Sequence, residues 1–442
     1  MWFTSCFSRP SELHLFDSLL IDSPKRKKYS KSQLEEFFPY YAGFPESFAS
    51  TIIESSGLDR GGIIYDPWNG SGTTTAAAAM RGYNYFGVDI NPVMVLVARA
   101  RNLSITEAHK ITLQIEGLLR GLNGLKSQAA EDDPLLQWFQ GGTANLIRNF
   151  EKRIRSCSVE RSSKIAVRID DISPFVAALY VVLFTVCRDF TLLFRSSNPT
   201  WLKPPRFSED RVRVEISEFR SAIRTQMRRV LGGLRLVSEQ ASAMALKNIV
   251  VGDSTSIDRV AFADLILTSP PYCTRIDYTA ATRVELAVID PLLALTRSEL
   301  SQRMIGSIKV PLGLIEPRVE WGRTCGEFIS RLLRHDSKAS RGYYYKTHLD
   351  YFDKMFRSLC GIQRSLKVGA AAVLVVQDSH YKEIHNDVPL ILTEMADASG
   401  LELFRREDFL QKNSMSGINT RSKKYRDSAS AVESVLCFIK RK

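Results

Sequence analysis

The 442-residue chain is poor in histidine, with six, and its seven cysteines stand far apart, at 6, 157, 187, 273, 325, 360 and 437. No two form a C-x-x-C pair. That excludes a cysteine-built zinc site and a dithiol redox motif, and no metal is expected; the usage fits reduced thiols and a cytoplasmic location. Long apolar runs are also missing. The best, Phe175 to Cys187, closes on Arg188-Asp189 and is too short to span a bilayer. No clean signal peptide opens the chain, so neither secretion nor a membrane is expected. Internal repeats and long low-complexity tracts are absent. What is abundant is positive charge: 60 Lys and Arg against 48 Asp and Glu, a net +12. A polyanionic partner suits that balance, although solubility alone would allow it.

The stretch Ala263-Asp-Leu-Ile-Leu-Thr-Ser-Pro-Pro-Tyr272 organises the rest. Leu265 to Leu267 reads as a buried strand, ended by two prolines that cannot continue a central ladder. Ser269 then offers a hydroxyl, Pro270 and Pro271 offer carbonyls, and Tyr272 offers a flat ring. Such a set at a strand's carboxyl end suits a planar base with an exocyclic amino group; a plain turn is the simpler alternative. A second constellation lies upstream. A strand, Gly61 to Tyr65, runs into Asp66-Pro-Trp-Asn-Gly-Ser-Gly-Thr-Thr74 and a helix, Thr75 to Arg81, stopped by Gly82. A second strand, Tyr85 to Val88, ends in Asp89-Ile-Asn-Pro92, and a helix follows through Ala100. This is one βαβ unit with a glycine turn after the first strand and an acid after the second. Gly70 and Gly72 permit close approach of a ligand and positive φ. Asp89 is placed to accept from two ribose hydroxyls. The turn is neither G-x-G-x-x-G nor G-x-x-x-x-G-K-[ST], which leaves a nucleoside-type cofactor without a pyrophosphate.

Residues 1–36 form an N-terminal extension. Phe37 to Glu46 is an aromatic loop, holding Tyr40 and Phe44, that could close over a small ligand or simply pack. Residues 105–245 carry helical periodicity, over Ile111 to Leu122, Leu135 to Arg155, Pro174 to Phe194 and Val214 to Met244, and read as a helical insertion. Its arginines, among them Arg220, Arg224 and Arg228, fit a solvated face or a nucleic-acid footprint. The α/β pattern resumes at Asn248 and reaches Asp253-Ser254 at a strand end. After Tyr272 the chain enters Cys273-Thr-Arg-Ile-Asp-Tyr278 and a helix expected through Leu295, then an irregular basic insertion over 296–347. In it Tyr344 stands in Arg341-Gly-Tyr-Tyr-Tyr-Lys346, able to stack on bases or to pack. A helix (Leu349 to Leu366), a strand (Ala370 to Gln377), a helix (Val388 to Ser399) and strands at 402–409 and 432–439 complete the chain. A basic segment with Lys423 lies between the last two strands.

Residues 37–104 and 246–442 together resemble the amino-directed DNA methyltransferases. Asp66-Pro-Trp-Asn-Gly-Ser-Gly-Thr73 is similar to their cofactor loop, Asp89-Ile-Asn-Pro92 to their ribose-binding segment and Thr268-Ser-Pro-Pro-Tyr272 to their catalytic motif. Trp68-Asn69 and the long insertion depart from the pattern. The resemblance implies an α/β, Rossmann-like sheet of seven mostly parallel strands with an antiparallel edge hairpin and a large helical insertion. It implies S-adenosyl-L-methionine (S-adenosylmethionine) as cofactor, its methionine part against Asp66, Gly70 and Gly72, its ribose on Asp89, its adenine amino group on Asp253 or Ser254. Tyr40, Phe44, Pro67, Thr73 and Asn91 would complete that site. Ser269, Pro270, Pro271 and Tyr272 would be catalytic, and Arg220, Arg224, Arg228, Tyr344 and Lys423 would touch nucleic acid. Double-stranded DNA with a flipped target base is the implied substrate, and a cognate nuclease or other defence-system protein the implied partner. Serine at 269, where other members hold aspartate, favours N4 of cytosine over N6 of adenine. An RNA amino-group methyltransferase and an inactive nucleic-acid binder on the same fold are the alternatives. Cys273 follows a tyrosine, not a proline, so cysteine-dependent C5 methylation is not expected.

Overall fold

Short apolar runs bounded by glycine, proline or an acid become strands in the computed structural model. It describes residues 18–25, 37–38, 43–122, 130–158, 167–195, 202–238, 246–273, 278–307, 309–310, 313, 315–411 and 431–441. The strands are β1 Ile63–Asp66, β2 Asn84–Asp89, β3 Lys247–Val251, β4 Ala263–Thr268, β5 Leu366–Gln377, β6 Ser379–Tyr381, β7 Ile384–Asn386, β8 Leu401–Gln411 and β9 Ala431–Lys440. Seven form one sheet in the order β3-β2-β1-β4-β5-β9-β8, and β6 and β7 form a separate hairpin. The first five strands of the sheet pair in parallel. Strand β9 is antiparallel to both β5 and β8. The expected parallel sheet with its antiparallel edge hairpin is therefore present.

Strand alternation divides the core between two faces. Ile64, Leu265, Leu267, Ala371, Val373 and Val375 point to one layer. Tyr65, Ile266, Ala372, Leu374 and Val376 point to the other. The first layer holds α1 Glu46–Ser55, α2 Thr73–Met80, α3 Pro92–Ala100, α4 Ile105–Arg120, α5 Gly141–Ser156, α6 Pro174–Phe190, α7 Ile216–Gly233 and α8 Arg283–Val288. Helix α9, Arg297–Arg303, also packs there, whereas α10 Gly322–Arg334, α11 Tyr345–Ser365 and α12 Val388–Ala398 cover the other face.

All nine residues of α3 are buried, as are Val176 to Cys187 of α6. A helix apolar all round is one enclosed on every side. The longest apolar run is thus the second helical shell on this face, packed over α3, and the described residues of 105–238 share one core with the sheet. Several element bounds differ from expectation. The helix expected over Pro174 to Phe194 ends at Phe190, and that over Val214 to Met244 ends at Gly233, where Gly232-Gly233 weakens the pattern. Leu135 to Arg155 splits into a 3-10 turn and α5 at Gly141-Gly142. The helix expected to reach Leu295 is broken near Pro291. Residues 296–347, expected to be irregular, hold α9 and α10.

Candidate active site

The carboxyl ends of β1, β2, β3 and β4 surround one pocket. Asp66 ends β1 and is buried; its Oδ1 accepts from the Trp68 amide at 3.1 Å and from Thr268 Oγ1 at 2.5 Å. Thr74 Oγ1 donates to the Leu267 carbonyl at 3.0 Å. Two motifs 200 residues apart in sequence are thereby one hydrogen-bonded unit. Asp89 ends β2. Its Oδ2 accepts from the Gly70 amide and its Oδ1 from the Asn91 amide, each at 2.8 Å. Burial pushes both carboxyls up to about 6, against the hydrogen bonds that favour their charged forms.

The two glycines of the turn have separate duties. Gly70 has φ 48° where its amide turns to Asp89. Gly72 has φ 82° at the start of α2, and a Cβ there would stand 2.7 Å from Ala98 Cβ of α3. The two residues that depart from the resembled pattern are accommodated. Asn69 Oδ1 accepts from Thr75 Oγ1 at 3.0 Å, and its amide lies over Gly87, where a Cβ would come within 2.7 Å of it. Trp68 Nε1 donates to Ser254 Oγ at 2.8 Å, and Ser254 pairs with Ser358 Oγ at 2.9 Å. Asp253 Oδ1 accepts from the Thr255 amide and hydroxyl.

On the opposite wall, Ser269 Oγ donates to the Val375 carbonyl at 3.1 Å, so its lone pairs stay available to accept. Tyr351 of α11, itself buried, donates its hydroxyl to the Pro271 carbonyl at 3.0 Å. Burial pushes the Cys273 thiol up to about 12, and Asn386 Nδ2 donates to its sulfur at 3.5 Å. A thiol so held is a poor nucleophile.

Phe44, Asp66, Pro67, Gly70, Thr73, Asp89, Asn91, Asp253, Ser254, Ser269, Pro270, Pro271 and Tyr272 all line this pocket. Gly72 shapes the turn from beneath, and Tyr40 lies outside the described residues. Sequence reasoning missed Met94, Gly252, Arg303, Met304 and Ile305. The last three reach the pocket because buried Lys354 Nζ donates to the Gln302 carbonyl at 2.7 Å and to the Met304 carbonyl at 3.3 Å, with Asp350 Oδ2 at 2.8 Å. The Asp350–Lys354 spacing on a helix was the only signal of that clasp.

The residues assigned to nucleic acid lie apart from the pocket lining. Arg224 makes a two-pronged pair with Glu116 at 2.7 and 2.8 Å, and Arg220 donates to the Leu119 carbonyl at 3.4 Å. Helix α7 therefore runs antiparallel to α4, and Arg228 on it is exposed. Tyr344 packs on Tyr381, ring centres 4.4 Å apart. Lys423 lies outside the described residues.

A DNA methylase family model matches residues 6–99, which include the glycine turn and Asp89. The chain is 23% identical to the Type II methyltransferase M.BsoBI of Geobacillus stearothermophilus over 302 residues, 63% of this chain and 56% of that protein. It is 22% identical to the Type II methyltransferase M.AvaI of Anabaena variabilis over 443 residues, 90% of this chain and 86% of that protein. Over 83 residues, 19% of this chain and 31% of the relative, it is 35% identical to the orphan methyltransferase M.BamHII of Bacillus amyloliquefaciens. The family-model match and the Type II relatives make this chain similar to the amino-directed N6/N4 DNA methylases and support that family for it.

Proposed function

We propose that this protein methylates an exocyclic amino group of a flipped base in double-stranded DNA, N4 of cytosine in preference to N6 of adenine, with S-adenosylmethionine as donor. The observation that carries this reading is the meeting of Asp89 and Ser269-Pro-Pro-Tyr272 in one pocket. The residues present fit the cofactor. Each Asp89 oxygen holds one amide and keeps a lone pair, enough for two ribose hydroxyls. The carboxylates of Asp66, Asp89 and Asp253 suit a cationic nucleoside better than a pyrophosphate. Ser254 is already engaged by Trp68 and Ser358, so the adenine amino group falls to Asp253. When bound, S-adenosylmethionine supplies an electrophilic methyl group on a sulfonium.

The protein's own contribution is acceptance and orientation. An exocyclic amine is a weak nucleophile because its lone pair is conjugated into the ring. Ser269 points its hydroxyl hydrogen at the Val375 carbonyl, so its oxygen accepts one amino N–H. The Pro270 carbonyl accepts the other. Together they draw the nitrogen toward sp³ geometry and free its lone pair, a positioning effect of several kcal/mol. Tyr272 stacks on the extruded base. A serine accepts less strongly than a carboxylate and cannot readily act as base, which favours the cytosine amine. By likeness to the Type II relatives, a cognate nuclease is the expected partner. Among the described residues no helix is long and apolar enough to cross a membrane.

The test is incubation with labelled S-adenosylmethionine and either duplex DNA or RNA, then digestion to nucleosides. Label in N4-methylcytosine is expected. N6-methyladenine alone would overturn the choice of base, label in RNA alone the substrate class, and no label with demonstrated cofactor binding the activity itself.

A further inference from the structure

The hairpin that follows β5 gathers three metal-ligating side chains with no role in the reaction above. Asp378 and His380 are two residues apart on one extended segment, so they project to the same face. His380 and His385 are directly opposite each other across β6 and β7, their ring centres 4.7 Å apart. One atom from each of Asp378, His380 and His385 can be chosen so that all three lie within 4.8 Å of one another.

The carboxylate is already oriented. Asp378 is buried; its amide donates to the Val432 carbonyl at 3.0 Å, and its Oδ1 accepts from the Val432 amide at 2.9 Å. This leaves Oδ2 turned to His385 Nε2 at 3.1 Å. A carboxylate fixed by a backbone amide on one oxygen is how metal sites hold a ligand in place. Two imidazoles and a carboxylate suit zinc and neighbouring divalent ions, not copper(I) or an iron–sulfur cluster, which require sulfur. His380 is half-buried and His385 exposed, so an ion has a route in.

We infer that Asp378, His380 and His385 form a binding site for a divalent first-row transition ion, zinc or one like it. Its place in the fold suggests a positioning use. Asn386, next to His385, donates to Ser379 Oγ at 2.9 Å and to Cys273 Sγ, one residue after Tyr272. An ion clamping the hairpin to Asp378 at the end of β5 would steady the contact that backs the catalytic turn.

The readout is metal binding and stands apart from methyl transfer. The full-length protein, stripped with a chelator, is titrated with cobalt(II) and followed by visible absorption, then challenged with zinc(II). One saturating equivalent, displaced by zinc, is expected. His380→Gln combined with His385→Gln should weaken binding at least about tenfold, with circular dichroism in chelator matching the parent. His385→Asn, at the exposed position, carries the same expectation should the double variant misfold. No saturable binding by the parent, or one equivalent retained at parental affinity by a folded variant, overturns the inference.

Discussion

At the residue scale, two carboxyls held near pH 6 by burial make cofactor binding pH-dependent. Protonation weakens Asp66 and Asp89 as acceptors and removes negative charge from the pocket. Affinity for S-adenosylmethionine should therefore be full above about pH 7 and fall as pH drops through 6, by up to about tenfold per pH unit for one controlling group. Titration calorimetry across that range checks this, and a flat profile refutes it. Asp89→Ala should cost about 1–3 kcal/mol of cofactor affinity, because two ribose hydroxyls lose a charged acceptor. Unchanged affinity in a folded variant would remove the assignment. Ser269→Ala should leave cofactor binding intact and lower turnover by roughly a hundredfold, the loss expected when one positioned hydrogen-bonding group is removed. A variant with parental turnover would show that the hydroxyl is not an acceptor in the reaction.

At the scale of elements, α8, which follows the turn of Ser269 to Tyr272 in the chain, is bolted to the helical layer. Arg188, near the end of α6, donates to Glu285 Oε1 of α8 at 2.6 Å and to the Ala281 carbonyl at 2.7 Å. Arg148 of α5 grips Asp133 and the Ala287 and Val288 carbonyls. Glu285 is fully buried. Arg188→Ala would strand that carboxylate, and breaking such a pair costs about 3–5 kcal/mol. Urea unfolding should show a loss of that size; a loss under about 1 kcal/mol would mean that water or another cation replaces the guanidinium. Helix α11 supports the turn of Ser269 to Tyr272 from the other face through Tyr351, and its Lys354 holds the Gln302 and Met304 carbonyls.

At the scale of the whole molecule, the net +12 charge invites a polyanion, but the arginine row of α7 is partly committed within the protein. Arg224 is neutralised by Glu116, and α7 ends at Gly233, after which the Val237 amide donates to the Leu103 carbonyl, just beyond the end of α3 at Ala100. The combined Arg220→Ala, Arg224→Ala and Arg228→Ala variant should lower DNA affinity and flatten its salt dependence by about one unit of slope per lost phosphate contact. An unchanged slope would make these arginines a solvated, internally paired face.

The strands, the βαβ unit and the two motifs were legible because each is local. Period-2 and apolar runs mark strands, and prolines, glycines and acids mark where they stop. Thirteen of the residues named for cofactor and catalysis, each within or beside such a local signal, line a single pocket. The tertiary structure alone decided what depends on contacts between distant segments. It made the longest apolar run an enclosed helix, and it set Trp68 on Ser254 and Asn69 on Gly87. It brought Arg303 to Ile305 to the pocket through Lys354 and paired Arg224 with Glu116. The hairpin of β6 and β7 was too short for periodicity to register, and the meeting of its histidines with Asp378 depends on cross-strand register, which no spacing along the chain encodes.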